Sequence, residues 1–109
     1  MKLEIENKIS EIKYIISLLK DHANFDDSKK RLENLEIASQ ASDIWEDRIK
    51  AEKLFKEKNL LEKQIISINS LETEIDDAEE LFKIGNDEDD LEIIKEAEKT
   101  IFALSLIHI

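Results

Sequence analysis

A chain of 109 residues with one glycine and no proline has almost nothing in it to interrupt a helix. Those two residues most disfavour helix interiors and shape hairpins and tight turns, so a sheet protein would lack its punctuation here. Charged residues make up 39% of the chain and hydrophobic ones 41%, enough for the two faces of amphipathic helices. The expected class is all-α, an elongated antiparallel helical bundle with one long central helix. With no cysteine, neither a disulfide framework nor a thiolate metal site can form. The opening "MKLEIENKIS" carries charges every few residues where a signal peptide needs an unbroken apolar core. No apolar run approaches the roughly 20 residues that span a bilayer, and a cytoplasmic location without membrane contact is expected.

Ile5, Ile9, Ile12, Ile16 and Leu19 are spaced 4, 3, 4 and 3, one seam along a first helix from about Lys2 to Asp21. After "HANFDDS" the pattern resumes with Leu32 and Leu35 in a short second helix, for which Asp27 or Ser28 is the expected N-cap. The third segment, from about Glu46 to Ile84, keeps a near-heptad seam through Leu54, Leu61, Ile65, Ile68, Leu71, Ile75, Ala78 and Phe82. At about 1.5 Å per residue it runs well over roughly 50 Å. Gly85 stands where a left-handed C-terminal cap is wanted, and Asn86 or Asp87 is expected to start a fourth helix. That helix, with Leu91, Ile94, Ala97 and Ile101 as its stripe, should fold back antiparallel on the third.

The net charge of −11 is unevenly placed. From Met1 to Lys63 there are 13 Lys/Arg against 14 Asp/Glu, whereas from Gln64 to Ile109 there are 3 against 13. Displacing counterions from a phosphate backbone needs clustered cations, so no strong direct nucleic-acid binding is expected from the second half. Local basic patches at Lys29, Lys30 and Arg31, and along Lys50, Lys53, Lys56, Lys58 and Lys63, read as solvated, salt-bridged helix faces.

Catalytic and metal signatures fail on inspection. The acidic run "GNDEDDLE", Gly85 to Glu92, places its glycine before the cluster and Leu91 at an alternate position, unlike a calcium-binding loop. Acidic side chains at a helix start are favoured by the helix dipole, which accounts for the run. His22 and His108 are the only histidines, and neither has a partner at metal or triad spacing. Glycine-rich phosphate loops and nucleophile elbows are absent, so no metal, no cofactor and no catalysis are expected.

The one tryptophan, Trp45, lies in "SDIWED", in a break between helical stripes. Residue chemistry alone makes this a helical interaction module in which Trp45, flanked by Ile44, plugs the exposed end of the seam. The order of features says more. Asp27, Lys29, Lys30, Arg31 and Leu32, then Asp43, Ile44 and Trp45, then Ala51, Leu54, Lys56, Glu57, Leu61 and Glu62 follow a "D-x-KK-RL", "D-[IV]-W", "A-x-x-L-x-KE-x-x-x-LE" sequence. This order resembles the N-terminal helical domain of the bacterial peptide chain release factor 2 family, truncated before the catalytic domain. "DEDDLEIIKEAE" is similar to that family's acidic entry into its next helix. The likeness runs from about Asn24 to Phe102, and the Asp-Ile-Trp turn favours the type 2 factors over type 1, although Ser42 stands where the family often has proline.

The resemblance implies a role in translation termination. In that family the N-terminal helical domain lies toward the base of the ribosomal stalk, and later domains carry a codon-reading Ser-Pro-Phe motif and a hydrolysis-triggering Gly-Gly-Gln motif. Neither motif occurs in these residues, so the implied role is docking and positioning, with a ribosomal protein at the stalk base as partner. The alternative is a stand-alone helical coiled-coil scaffold or adaptor whose seams bind a partner helix. Asp43, Ile44, Trp45 and Gly85 are the structural site residues.

An uncharged tail, "LSLIHI", closes this highly charged chain. Back-translated as CTG TCT CTT ATA CAC ATC, it matches the transposase end sequence used in tagmentation libraries. Leu104 to Ile109 are therefore expected to be adapter read-through, with the natural gene continuing past Ala103; the alternative is a native apolar helix end, in which Leu104 continues the stripe after Ile101. An apolar tail of this kind is also expected to favour self-association of the fragment.

Overall fold

The computed structural model describes residues 2–107. Its helices are α1 (Lys2–His22), α2 (Phe25–Ser39), α3 (Arg48–Glu88) and α4 (Leu91–Ile107), with a single 3-10 turn at Ile44–Glu46. This is the all-α antiparallel architecture with one long helix that the periodicity predicts. α3 alone has 41 residues, about 60 Å at about 1.5 Å per residue. The chain forms two compact units, Met1–Leu19 with Asn69–Ile109, and Lys20–Ile68.

In the first unit the seam of α1 is buried as Ile5, Ile9, Ile12 and Ile16. Ile75, Ala78 and Phe82 of α3 and Ala97, Ile101 and Leu104 of α4 complete the core. Burying each large aliphatic side chain contributes about 1.5–3 kcal/mol, and no polar or charged residue is buried among the described residues. Lys13 joins α1 to α3, its Nζ lying 2.7 Å from Glu79 Oε1 and 3.9 Å from Asp76 Oδ1. That pair is partly exposed and adds at most about 1 kcal/mol. Leu19 ends the α1 stripe 37% exposed and Leu91 opens α4 69% exposed, so neither belongs to the core expected of it. Leu104 carries the α4 stripe one step further, at 2% exposure. His108 and Ile109 lie outside the described residues.

The turn between α3 and α4 corrects the expected role of Gly85. The helix runs through Gly85 to Glu88, and the left-handed residue is Asp89, with φ 51°. Asp90 N–H donates to Gly85 O at 2.9 Å and Asp89 N–H to Asn86 O at 3.4 Å, closing α3 in the two-bond pattern typical of left-handed helix ends. Glycine is needed at 85 for space: a Cβ there would lie 2.8 Å from Ile94 Cγ1 and 3.1 Å from Ile94 N. α4 therefore starts at Leu91 and not at Asn86 or Asp87. Its cap is Asp90, whose Oδ1 accepts from Glu92 N–H at 3.1 Å and Ile93 N–H at 3.3 Å.

The second unit is built on Phe25, Leu35, Ala51, Ile65 and Ile68. Here too the cap differs from the expectation. α2 begins at Phe25, preceded by Asn24 in the left-handed region (φ 49°, ψ 56°), which makes no side-chain cap bond. Only two residues, Ala23 and Asn24, separate α1 from α2, and asparagine tolerates this conformation better than most residues with a Cβ. Ser28 is already inside the helix, its Oγ donating to Ala23 O at 3.0 Å, while Asp26 and Asp27 sit in the first turn, where the dipole favours carboxylates. The buried Phe25 ring has the Nζ atoms of Lys20 and Lys29 each 4.9 Å from its centroid, within cation–π range.

Candidate functional site

The segment between α2 and α3 is held by short-range backbone bonds. Ala41 N–H donates to Ala38 O at 3.2 Å, Ile44 N–H to Ala41 O at 3.3 Å, and Glu46 N–H to Asp43 O at 3.1 Å. Asp43 thus serves through its carbonyl, and its side chain makes no cap bond. Asp47 takes that role for α3: it is extended (φ −115°, ψ 98°), and its Oδ1 accepts from Lys50 N–H at 3.1 Å. Its carbonyl also accepts from Ala51 N–H at 3.0 Å, the first bond of the new helix.

This framework turns Trp45 outward. The indole is 67% exposed, so the expected plug does not form. It stacks instead on Phe55, with ring centroids 5.4 Å apart and planes inclined by 20°, an arrangement aromatic pairs favour. Ile44, one residue earlier, points the other way and is half-buried. With Leu35 and Leu54 it floors a shallow groove whose other walls are Arg31, Lys50, Lys53 and Glu57.

Arg31 and Glu57 clamp α2 to α3 across this groove. Arg31 Nε donates to Glu57 Oε1 at 2.8 Å and Nη2 to Oε2 at 3.0 Å, the fork geometry that guanidinium and carboxylate share. The hydrogen bond from Arg31 holds the Glu57 carboxyl below the usual glutamate range, and the same bond raises Arg31 further above neutrality. The pair is exposed, and its value lies in orientation more than in stability.

The structure brings Asp43, Ile44 and Trp45 together in one turn and leaves Gly85 in the other unit, as a packing residue beside Ile94. Phe55, Asp47 and the Arg31–Glu57 clamp were not singled out from the sequence. Asp47 could have been, since it stands three residues before Lys50 at the start of a periodic run. Phe55 lies off the seam and gave no such signal. Among the described residues no three His, Cys, Asp or Glu side chains are grouped to hold a metal ion. His22 is exposed in the last turn of α1, and no described helix is long and apolar enough to cross a membrane.

No protein-family model matches the chain. Individual proteins do. It is 36% identical over 104 residues to peptide chain release factor 2 of Paramagnetospirillum magneticum, covering 95% of this chain and 28% of that relative. Peptide chain release factor 2 of Ruegeria sp. is 29% identical over the same shares of the two chains. The Rickettsia bellii protein of that name is 36% identical over 90 residues, 83% of this chain and 24% of the relative. The chain spans about a quarter of the length of the curated relatives it matches.

Proposed function

Since the chain is homologous, over 95% of its length, to a segment of peptide chain release factor 2, we propose that it is the docking and positioning piece of a translation termination factor. It corresponds to the N-terminal helical domain, and its partner is a ribosomal protein at the base of the stalk. The parent activity, stop-codon-dependent hydrolysis of peptidyl-tRNA, belongs to parts of the factor carrying Ser-Pro-Phe and Gly-Gly-Gln, which these residues do not contain. The observation that carries this reading is the match itself. The outward Trp45, stacked on Phe55, supports it, because exposed aromatic side chains are enriched where proteins dock.

The unit of Lys20–Ile68 has 10 Lys/Arg against 11 Asp/Glu, and the other unit has 6 against 16. Neither balance favours a strong grip on ribosomal RNA, which supports a protein partner. Co-sedimentation with bacterial ribosomes tests the role: the chain is expected to pellet with them and to be displaced by an intact release factor 2. It should release no peptide from a termination complex. Failure to pellet, or pelleting that the intact factor leaves unchanged, would remove the docking role.

A further inference from the structure

We propose that the groove between α2 and the start of α3 seats an acidic amphipathic helix of the partner protein, a proposal that rests on the docking role above and gives its chemistry. The floor is Leu35, Ile44 and Leu54, and the rim is Arg31, Lys50, Lys53 and Glu57. Arg31 is already held by Glu57. Lys50 and Lys53 are different: among the described residues their ammonium groups have no ion-pair or hydrogen-bond partner. Two uncompensated cations over an aliphatic floor complement a helix that presents leucine-like anchors at i and i+4 with carboxylates alongside.

Size and charge narrow the occupant further. The groove encloses about 290 Å³, just below the roughly 300–1,000 Å³ typical of small-molecule pockets, and it is open along one side. It suits one or two side chains delivered by a helix. A phosphate backbone carries no apolar anchors for the aliphatic floor, so nucleic acid fits less well.

The probe is a synthetic, fluorescently labelled helical peptide with leucines at i and i+4 and glutamates elsewhere, its binding followed by fluorescence anisotropy. A scrambled peptide of the same composition and a single-stranded RNA of equal charge are run beside it. The amphipathic peptide is expected to bind and to weaken with salt. It should lose about tenfold or more in affinity in the Lys50→Glu/Lys53→Glu variant, as charge reversal at a complementary contact does, with circular dichroism unchanged. Equal binding of the scrambled peptide, tighter binding of the RNA, or an unaffected double variant would overturn the proposal. So would sedimentation showing a dimer that the double variant dissociates, since the occupant would then be a second copy. Ribosome pelleting separates the two readings. A chain that pellets but ignores the peptide loses the groove and keeps its docking role; one that binds the peptide but never pellets loses the docking role.

Discussion

A Cβ at position 85 would press on the backbone nitrogen of Ile94, which no rotamer change can move aside. Gly85→Ala gains about 1 kcal/mol of helix propensity but is expected to lose about 1–3 kcal/mol to overpacking, leaving the variant less stable in urea titrations. Asp89→Gly is expected to act oppositely, because a left-handed residue after a helix favours glycine; it should raise stability by about 0.5–1 kcal/mol. Residue type alone pointed to Gly85 as the left-handed turn. It could not reveal that Ile94 needs the space, because that contact forms only once α4 has folded back. Trp45 is a similar case. Its place in a break was legible, but its stacking partner, Phe55, lies outside every stripe. The indole is expected to emit near the wavelength of a solvated ring and to be quenched readily by acrylamide, and Phe55→Ala should increase that quenching by removing the stacked face.

The seams of the helices were readable because β-branched and other apolar residues recur at 3.6-residue spacing wherever one face is buried. Their ends were not, since a cap depends on how many residues the connection leaves between elements. Two connections illustrate this: Asp47 and Asp90 cap α3 and α4 through their carboxylates, while Asn24 before α2 makes no cap bond. Asp47→Ala and Asp90→Ala are each expected to cost about 0.5–2 kcal/mol of stability, whereas Asn24→Gly should cost nothing and relieve the left-handed backbone. Thermal unfolding of the three variants checks the order. Between α2 and α3 the clamp responds to pH. The folded Glu57 carboxyl titrates below its unfolded value, so its contribution is present above the ordinary glutamate pKa of about 4.3 and is lost as pH falls through the lowered one. A carboxyl-carbon NMR titration should place Glu57 below the ordinary glutamate range, and Arg31→Ala should raise it again.

For the molecule as a whole, charge follows the division into units. The unit containing α4 carries most of the net −11, and the unit with Trp45 is near neutral. That division could not be read from the stripes, because α3 contributes to both units without a break in its pattern. We propose that Leu104 to Ile109 are adapter read-through: a long read from a library made without transposase is expected to find the frame open past Ala103 and encoding Gly-Gly-Gln. A stop codon after native codons for Leu104 to Ile109 would make the tail genuine. Gly85 has a last consequence, for alignment. Near-heptad stripes are satisfied almost as well after a shift of seven residues, so a bundle built on stripes alone has several alignments of similar energy. Along α3 only one position lacks a Cβ, and Ile94 occupies the notch that this leaves. The notch works as a key in a shaft: lengthening the turn at Asp89 would loosen the tether on α4, yet a helix displaced by one heptad would have to drive Ile94 against a side chain. The alignment of α4 is therefore encoded twice, in the length of a turn and in a missing methyl group.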